Sequence, residues 1–179
     1  MEENHLKEYL FEYIEKSEKK FRVLFSQEKM NVVIDDILNS CYDRFTKENK
    51  DENLGILATG ILHYMLTNTM IASQRKVEHQ GIKVDIVIPD LRTLEKDSKK
   101  SLLICIPKTS DKVSIREEIE ELKKIQPENQ NIWLVLTQDH GFENKTFVIQ
   151  KGENFSNIIF DIANFVNIQG NNKFKILRI

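Results

Sequence analysis

The sequence predicts an α/β protein with a small mixed central sheet flanked by helices, preceded by a helical N-terminal extension. Three observations predict it. Apolar residues recur at helical spacing up to about residue 72. The period then changes to that of strands. Two later apolar strands are separated by one amphipathic helix, which makes a parallel, right-handed strand–helix–strand unit. The 179 residues are 40% apolar and 30% charged, a composition that supports a packed core and excludes wholesale disorder.

The extension covers residues 1–53 and reads as two amphipathic helices. Leu6, Leu10, Tyr13 and Ile14 mark the first, and Ile34, Ile37, Leu38, Cys41 and Phe45 the second. Residues 46–53 are a polar break and set the boundary with an α/β domain over 54–179. Residues 54–72 follow as a third helix, apolar on nearly all sides in its first half and therefore expected against the sheet. His63 lies inside it and reads as a core histidine.

Residues 74–79 predict a short polar strand, Gln80-Gly81 a two-residue turn and residues 82–88 an alternating strand. In that strand Ile82, Val84, Ile86 and Ile88 are expected on one face, with Lys83, Asp85 and Val87 on the other. The turn sets Glu78 opposite Lys83 and Lys76 opposite Asp85, as cross-strand ion pairs. Residues 90–100 read as a charged loop, with Lys96, Lys99 and Lys100 solvated. Residues 101–106 form a strand apolar on both faces.

Ser114 and Glu117 have capping-box spacing before a helix whose buried face is Ile115, Ile119, Leu122 and Ile125. The acidic run at 117–121 is its exposed face, and Glu120 and Lys124 are set to pair. Residues 132–137 are a second fully apolar strand, with Trp133 in the core. A short strand at 146–149, an amphipathic helix over 155–167 and an edge strand at 174–178 complete the reading.

The order of these elements carries a resemblance. Gly81-Ile-Lys-Val-Asp85-Ile-Val-Ile, then Leu102-Leu-Ile-Cys-Ile-Pro-Lys108, then the helix from Ser114 resemble the PD-(D/E)xK nuclease superfamily, which includes restriction endonucleases and archaeal Holliday-junction resolvases. The resemblance spans about residues 54–138. It implies a restriction-endonuclease-like sheet and a Mg²⁺ site made by two carboxylates beside a lysine. A hard cation needs oxygen ligands of this kind to polarise phosphate and activate water. The first acid maps onto Asp85 and the lysine onto Lys108. The second acid's place is taken by Ile106. The helix before the strands offers Thr59 and His63 where a glutamate is common in such folds. A relocated carboxylate would come from Glu78 or from Asp90, which forms a literal Pro89-Asp90 pair.

Two readings stand on these residues. One is a nuclease-fold protein with a degenerate metal site, acting as a non-catalytic module that binds nucleic acid or protein. The other is an active Mg²⁺-dependent DNA endonuclease, with Asp85 and Asp90 as metal ligands and Asp85, Lys108 and Glu78 as the catalytic set. The net charge of -2 argues against a surface that grips nucleic acid all over. Acids outnumber bases in the first 53 residues and the reverse holds beyond, so a local basic groove is compatible with the sum. No phosphate-binding glycine loop, nucleophile elbow or Cys-x-x-Cys pair is present.

Cys41 and Cys105 are expected as buried free thiols in a cytoplasmic protein. No leader and no membrane span is expected. The N-terminal helices are expected either to pack on their own domain or to form a homodimer or docking contact.

Overall fold

A computed structural model describes residues 2–169, so the edge strand expected at 174–178 lies outside the described residues. Seven helices and a five-stranded mixed sheet are observed among them. The sheet runs β1 (Gln74–His79), β2 (Ile82–Ile88), β3 (Leu102–Cys105), β4 (Ile132–Leu136) and β5 (Thr146–Val148), adjacent in chain order. The β1–β2 and β2–β3 pairs are antiparallel, while β3–β4 and β4–β5 are parallel. Gln80 and Gly81 turn the hairpin with φ of 53° and 76°. Two positive φ values at the central residues match the right-handed twist of the flanking strands.

The N-terminal segment holds three helices rather than two: α1 (Glu2–Lys16), α2 (Glu18–Ser26) and α3 (Met30–Phe45). Helix α4 (Lys50–Asn68) begins inside the polar break, with Asp51 and Glu52 in its first turn, where acids suit the helix dipole. Asn53 is buried and its Nδ2 donates to the Phe45 and Glu48 carbonyls at 2.9 and 3.1 Å, tying α3 to α4.

The sheet divides two apolar layers. On one face Ile86, Ile88, Ile104 and Trp133 pack with residues of α1 to α4 and of α7 (Ile158–Ile168). On the other, Val84, Val87, Leu103, Cys105 and Leu134 pack with α6 (Lys112–Lys123) and with Leu94 of α5 (Leu91–Lys96). The apolar faces of α1 to α3 are buried inside the chain, through Leu6, Leu10, Phe21, Ile34, Ile37 and Cys41 among others. Phe11, Val23 and Val32 remain exposed.

Several local expectations change. Residues 91–96 of the expected loop form α5, because Asp90 caps it: its Oδ1 accepts from the Thr93 N–H at 2.7 Å. Helix α6 is capped by Asp111, whose carboxylate accepts from both the Ser114 N–H and its hydroxyl, so Ser114 is inside the helix. On α6, Lys123 pairs with Glu120 and Lys124 with Glu121 at i,i+3, in place of the expected i,i+4 pair.

The face pattern of β2 also differs from simple alternation. Ile82 and Val84 pack on the α6 side, yet Ile86 and Ile88 pack with the helical layer and Val87 returns to the α6 side. The alternation slips one step at Asp85. Across the ladder, between the Arg75–Ile86 and Val77–Val84 pairs, stands Lys76, whose φ of 48° is left-handed. A lysine has no local reason to adopt that conformation, so the surrounding packing imposes it.

Candidate functional site: a cleft at the sheet end

Strands β2 and β3 pair from Ile88–Leu102 to Ile86–Ile104 and no further. Beyond that point Asp85 takes over the role of the ladder. Its Oδ2 accepts the Ile106 N–H at 2.7 Å, so the carboxylate satisfies a backbone donor that the parting strands leave without a carbonyl. Residues 107–108 then run beside Gly55 of α4.

Here a cleft of about 400 Å³ opens between α1, α4 and the sheet. Asp85, Ile106 and Lys108 lie at its floor, with Arg75 and Lys76 from the edge strand. Thr59, His63 and Tyr64 of α4 form one wall, and Leu10, Phe11 and Ile14 of α1 the other. The two helices cross tightly: a Cβ on Gly60 would lie 2.5 Å from Leu10 Cδ2, so only glycine fits without moving that side chain.

Electrostatics at the floor have clear causes. Burial pushes the Asp85 carboxyl above the usual carboxylate range, against the opposing pull of the Ile106 N–H, Lys108 and Lys76. His63 is exposed on the cleft wall rather than buried in the core. Partial burial, and then the positive charge of Arg75, lower its pKa and favour the neutral imidazole.

The structure therefore brings Asp85 and Lys108 together on one cleft with Ile106 between them, and leaves the other two sequence candidates outside it. Glu78 is exposed on β1 in register with Lys83. Asp90 is occupied as the cap of α5 and does not line the cleft. Neither supplies the missing second carboxylate.

A carboxylate does approach Asp85, from an unexpected side. Side-chain ligand atoms of Asp85, Cys105 and Glu118 of α6 lie within 4.8 Å of one another. Glu118 was expected on the exposed face with its neighbours, but it is half-buried. Burial raises its pKa first, and the Asp85 charge raises it further. The Cys105 thiol is fully buried, and burial, with the nearby Glu118 and Asp85 charges, holds its pKa well above the ordinary thiol value. The sequence did hold a signal for Glu118. It stands three residues after Ile115 and four before Leu122, both buried, so it borders the apolar stripe that Glu117, Glu120 and Glu121 avoid.

These residues do not fit the two-carboxylate Mg²⁺ site within the cleft itself. Ile106 offers no oxygen there, and Asp85 already spends one oxygen on a backbone N–H. The trio with Cys105 sets a protonated thiol, a poor partner for a hard cation, beside two carboxylates.

Searched against protein-family models, curated proteins and solved structures, the chain matches none. Among the described residues, no helix is long and apolar enough to cross a membrane.

Proposed function

We propose that the chain is a nuclease-fold protein without nuclease activity, whose sheet-end cleft binds the phosphate backbone of nucleic acid. The element order supports the kinship: a buried helix, an antiparallel three-stranded run, a crossover helix and a parallel strand, with Asp85 and Lys108 where β2 and β3 part. One observation carries the loss of catalysis. Ile106 lines the cleft beside Asp85, where the superfamily pattern has its second acid. What remains around the single carboxylate is cationic: Lys7, Arg75, Lys76 and Lys108 all line the cleft. Cations grouped in this way neutralise phosphates and release counterions.

The test is anisotropy of a labelled DNA oligonucleotide over a range of salt, with a parallel Mg²⁺ incubation of supercoiled and branched DNA. Binding is expected to weaken as salt rises. Replacing Lys76 or Lys108 with Gln is expected to lower the slope of log K against log salt by about 0.7–0.9 each. No cleavage is expected. Cleavage abolished by Asp85→Ala, or binding indifferent to both lysines, overturns this reading.

A second reading rests on the approach of Glu118 to Asp85 and Cys105. In it Glu118 is the relocated carboxylate of a metal-dependent endonuclease. Titration with Mn²⁺ followed by electron paramagnetic resonance separates the two. Saturable binding lost in both Asp85→Asn and Glu118→Gln favours the enzyme, and no binding at millimolar Mn²⁺ removes it.

A further inference from the structure

We propose that the cleft seats one unpaired nucleotide of a single strand, with its phosphate on the floor cations and its base against α1. The inference rests on the nucleic-acid reading above and specifies which nucleic acid. The two halves of the cleft differ in chemistry. Arg75, Lys76 and Lys108 gather at the sheet end, and among the described residues none of them has an ion-pair partner within 4 Å. Along α1 and α4 the lining is mainly apolar and aromatic, with Leu10, Phe11, Ile14, Ile56 and Tyr64, and Lys7 of α1 adds one further cation there.

Phe11 is the informative residue. It is 68% exposed, although α1 has a buried apolar face made by Leu6 and Leu10 and gains nothing in its own packing from a solvated ring. A rigid aromatic at the mouth of a cationic cleft is the arrangement on which bases stack without sequence preference. The wall between adds neutral polar groups suited to a base edge. Partial burial and then Arg75 lower the His63 pKa, and the Asn68 side chain donates to the Tyr64 carbonyl and leaves its own oxygen as an acceptor.

Size decides between a paired and an unpaired ligand. A volume of about 400 Å³ is near the low end of small-ligand sites, which span roughly 300–1,000 Å³. Helices α1 and α4 wall it on two sides. A base still in its pair brings a partner base and a second backbone, more than a space of about 400 Å³ takes in. An unpaired base enters edge-on and stacks on an exposed ring, as single-strand binders use aromatic platforms.

The experiment compares a labelled 12-nucleotide single strand, the same sequence as a blunt duplex, and a nucleoside monophosphate as competitor. The single strand is expected to bind at least ~10-fold tighter than the duplex. Phe11→Ala is expected to weaken single-strand binding by roughly 10-fold, the size of one lost base stack. Phe11→Trp should restore it, and neither change should alter duplex binding. Because Phe11 is largely solvated, both variants are expected to fold, which circular dichroism checks directly. Equal affinity for the duplex, or a Phe11→Ala variant with unchanged single-strand binding, overturns this inference and leaves the backbone-binding reading standing. A monophosphate that fails to compete even in large excess also overturns it, because one seated nucleotide carries both groups the cleft is held to recognise. Failure of every nucleic acid to bind removes both.

Discussion

At the scale of single residues, Asp85 has a structural duty that any chemical one must share. Its carboxylate accepts the Ile106 N–H where β2 and β3 part. A buried donor left unsatisfied costs about 1–3 kcal/mol. Asp85→Asn keeps an acceptor and Asp85→Ala does not. The alanine variant is therefore expected to be less stable than the asparagine variant by about 1–3 kcal/mol in urea unfolding. Equal stabilities would show that water reaches Ile106. The same neighbourhood sets a pH dependence. Asp85 and Glu118 both take up a proton in the folded protein at higher pH than in the unfolded chain. Between those two points the folded state holds the extra proton, so acidification stabilises it. The gain is absent above the raised folded values and complete below the unfolded ones, near about 4. Denaturation from pH 8 down to pH ~4.5 is expected to show a stabilising component that shrinks in Glu118→Gln. A variant with the wild-type pH profile would rule out Glu118 as its source.

At the scale of elements, the caps decide which acids are free for other work. Asp90 holds the first turn of α5 through the Thr93 N–H. Asp90→Ala is expected to cost about 1 kcal/mol of stability, the usual worth of such a cap. It is expected to leave nucleic-acid and Mn²⁺ binding unchanged. A loss of Mn²⁺ affinity with stability intact would return Asp90 to the site. The strands and the crossover helix were legible because their signals are local: a turn pair at Gln80-Gly81, apolar runs at 102–105 and 132–136, and the stripe of α6. The face slip at Asp85 was not legible, since it arises from where two strands part and from a left-handed Lys76 with nothing in its sequence to mark it. The cap of α6 was misread by three residues, because Asp111 and Ser114 both have capping chemistry and only the backbone decides between them. Of the site, Asp85 and Lys108 were legible through motif spacing. His63 was noted on its helix but read as a core residue, and Arg75 and Phe11 were not legible, because a cleft between α1 and α4 depends on a helix crossing fixed by Gly60 and Leu10.

At the scale of the whole molecule, the polar break at 46–53 suggests a seam that the packing does not follow. Leu10 of α1, Phe21 of α2, Ile34 of α3 and Leu57 of α4 belong to one buried cluster with Ile86, Ile104 and Trp133 of the sheet. Asn53, at the end of the break, closes it by donating to the carbonyls of Phe45, just before the break, and of Glu48, within it. Removing the first three helices would expose one entire side of that cluster, and a contiguous apolar face of such size is not stable in water. The cleft depends on the same arrangement, since α1 supplies one of its walls. One cooperative transition is therefore expected. The chain carries its own reporters for this. Its one tryptophan, Trp133, lies on β4 and reads the sheet, while far-ultraviolet circular dichroism is dominated by the helices, most of which precede the sheet. The two signals are expected to give coincident urea midpoints and slopes. Helical signal lost well before Trp133 becomes solvated would mean that the N-terminal helices unfold as a separate unit. The cleft would then be a joint between two bodies, and ligand binding would be expected to raise the first midpoint alone.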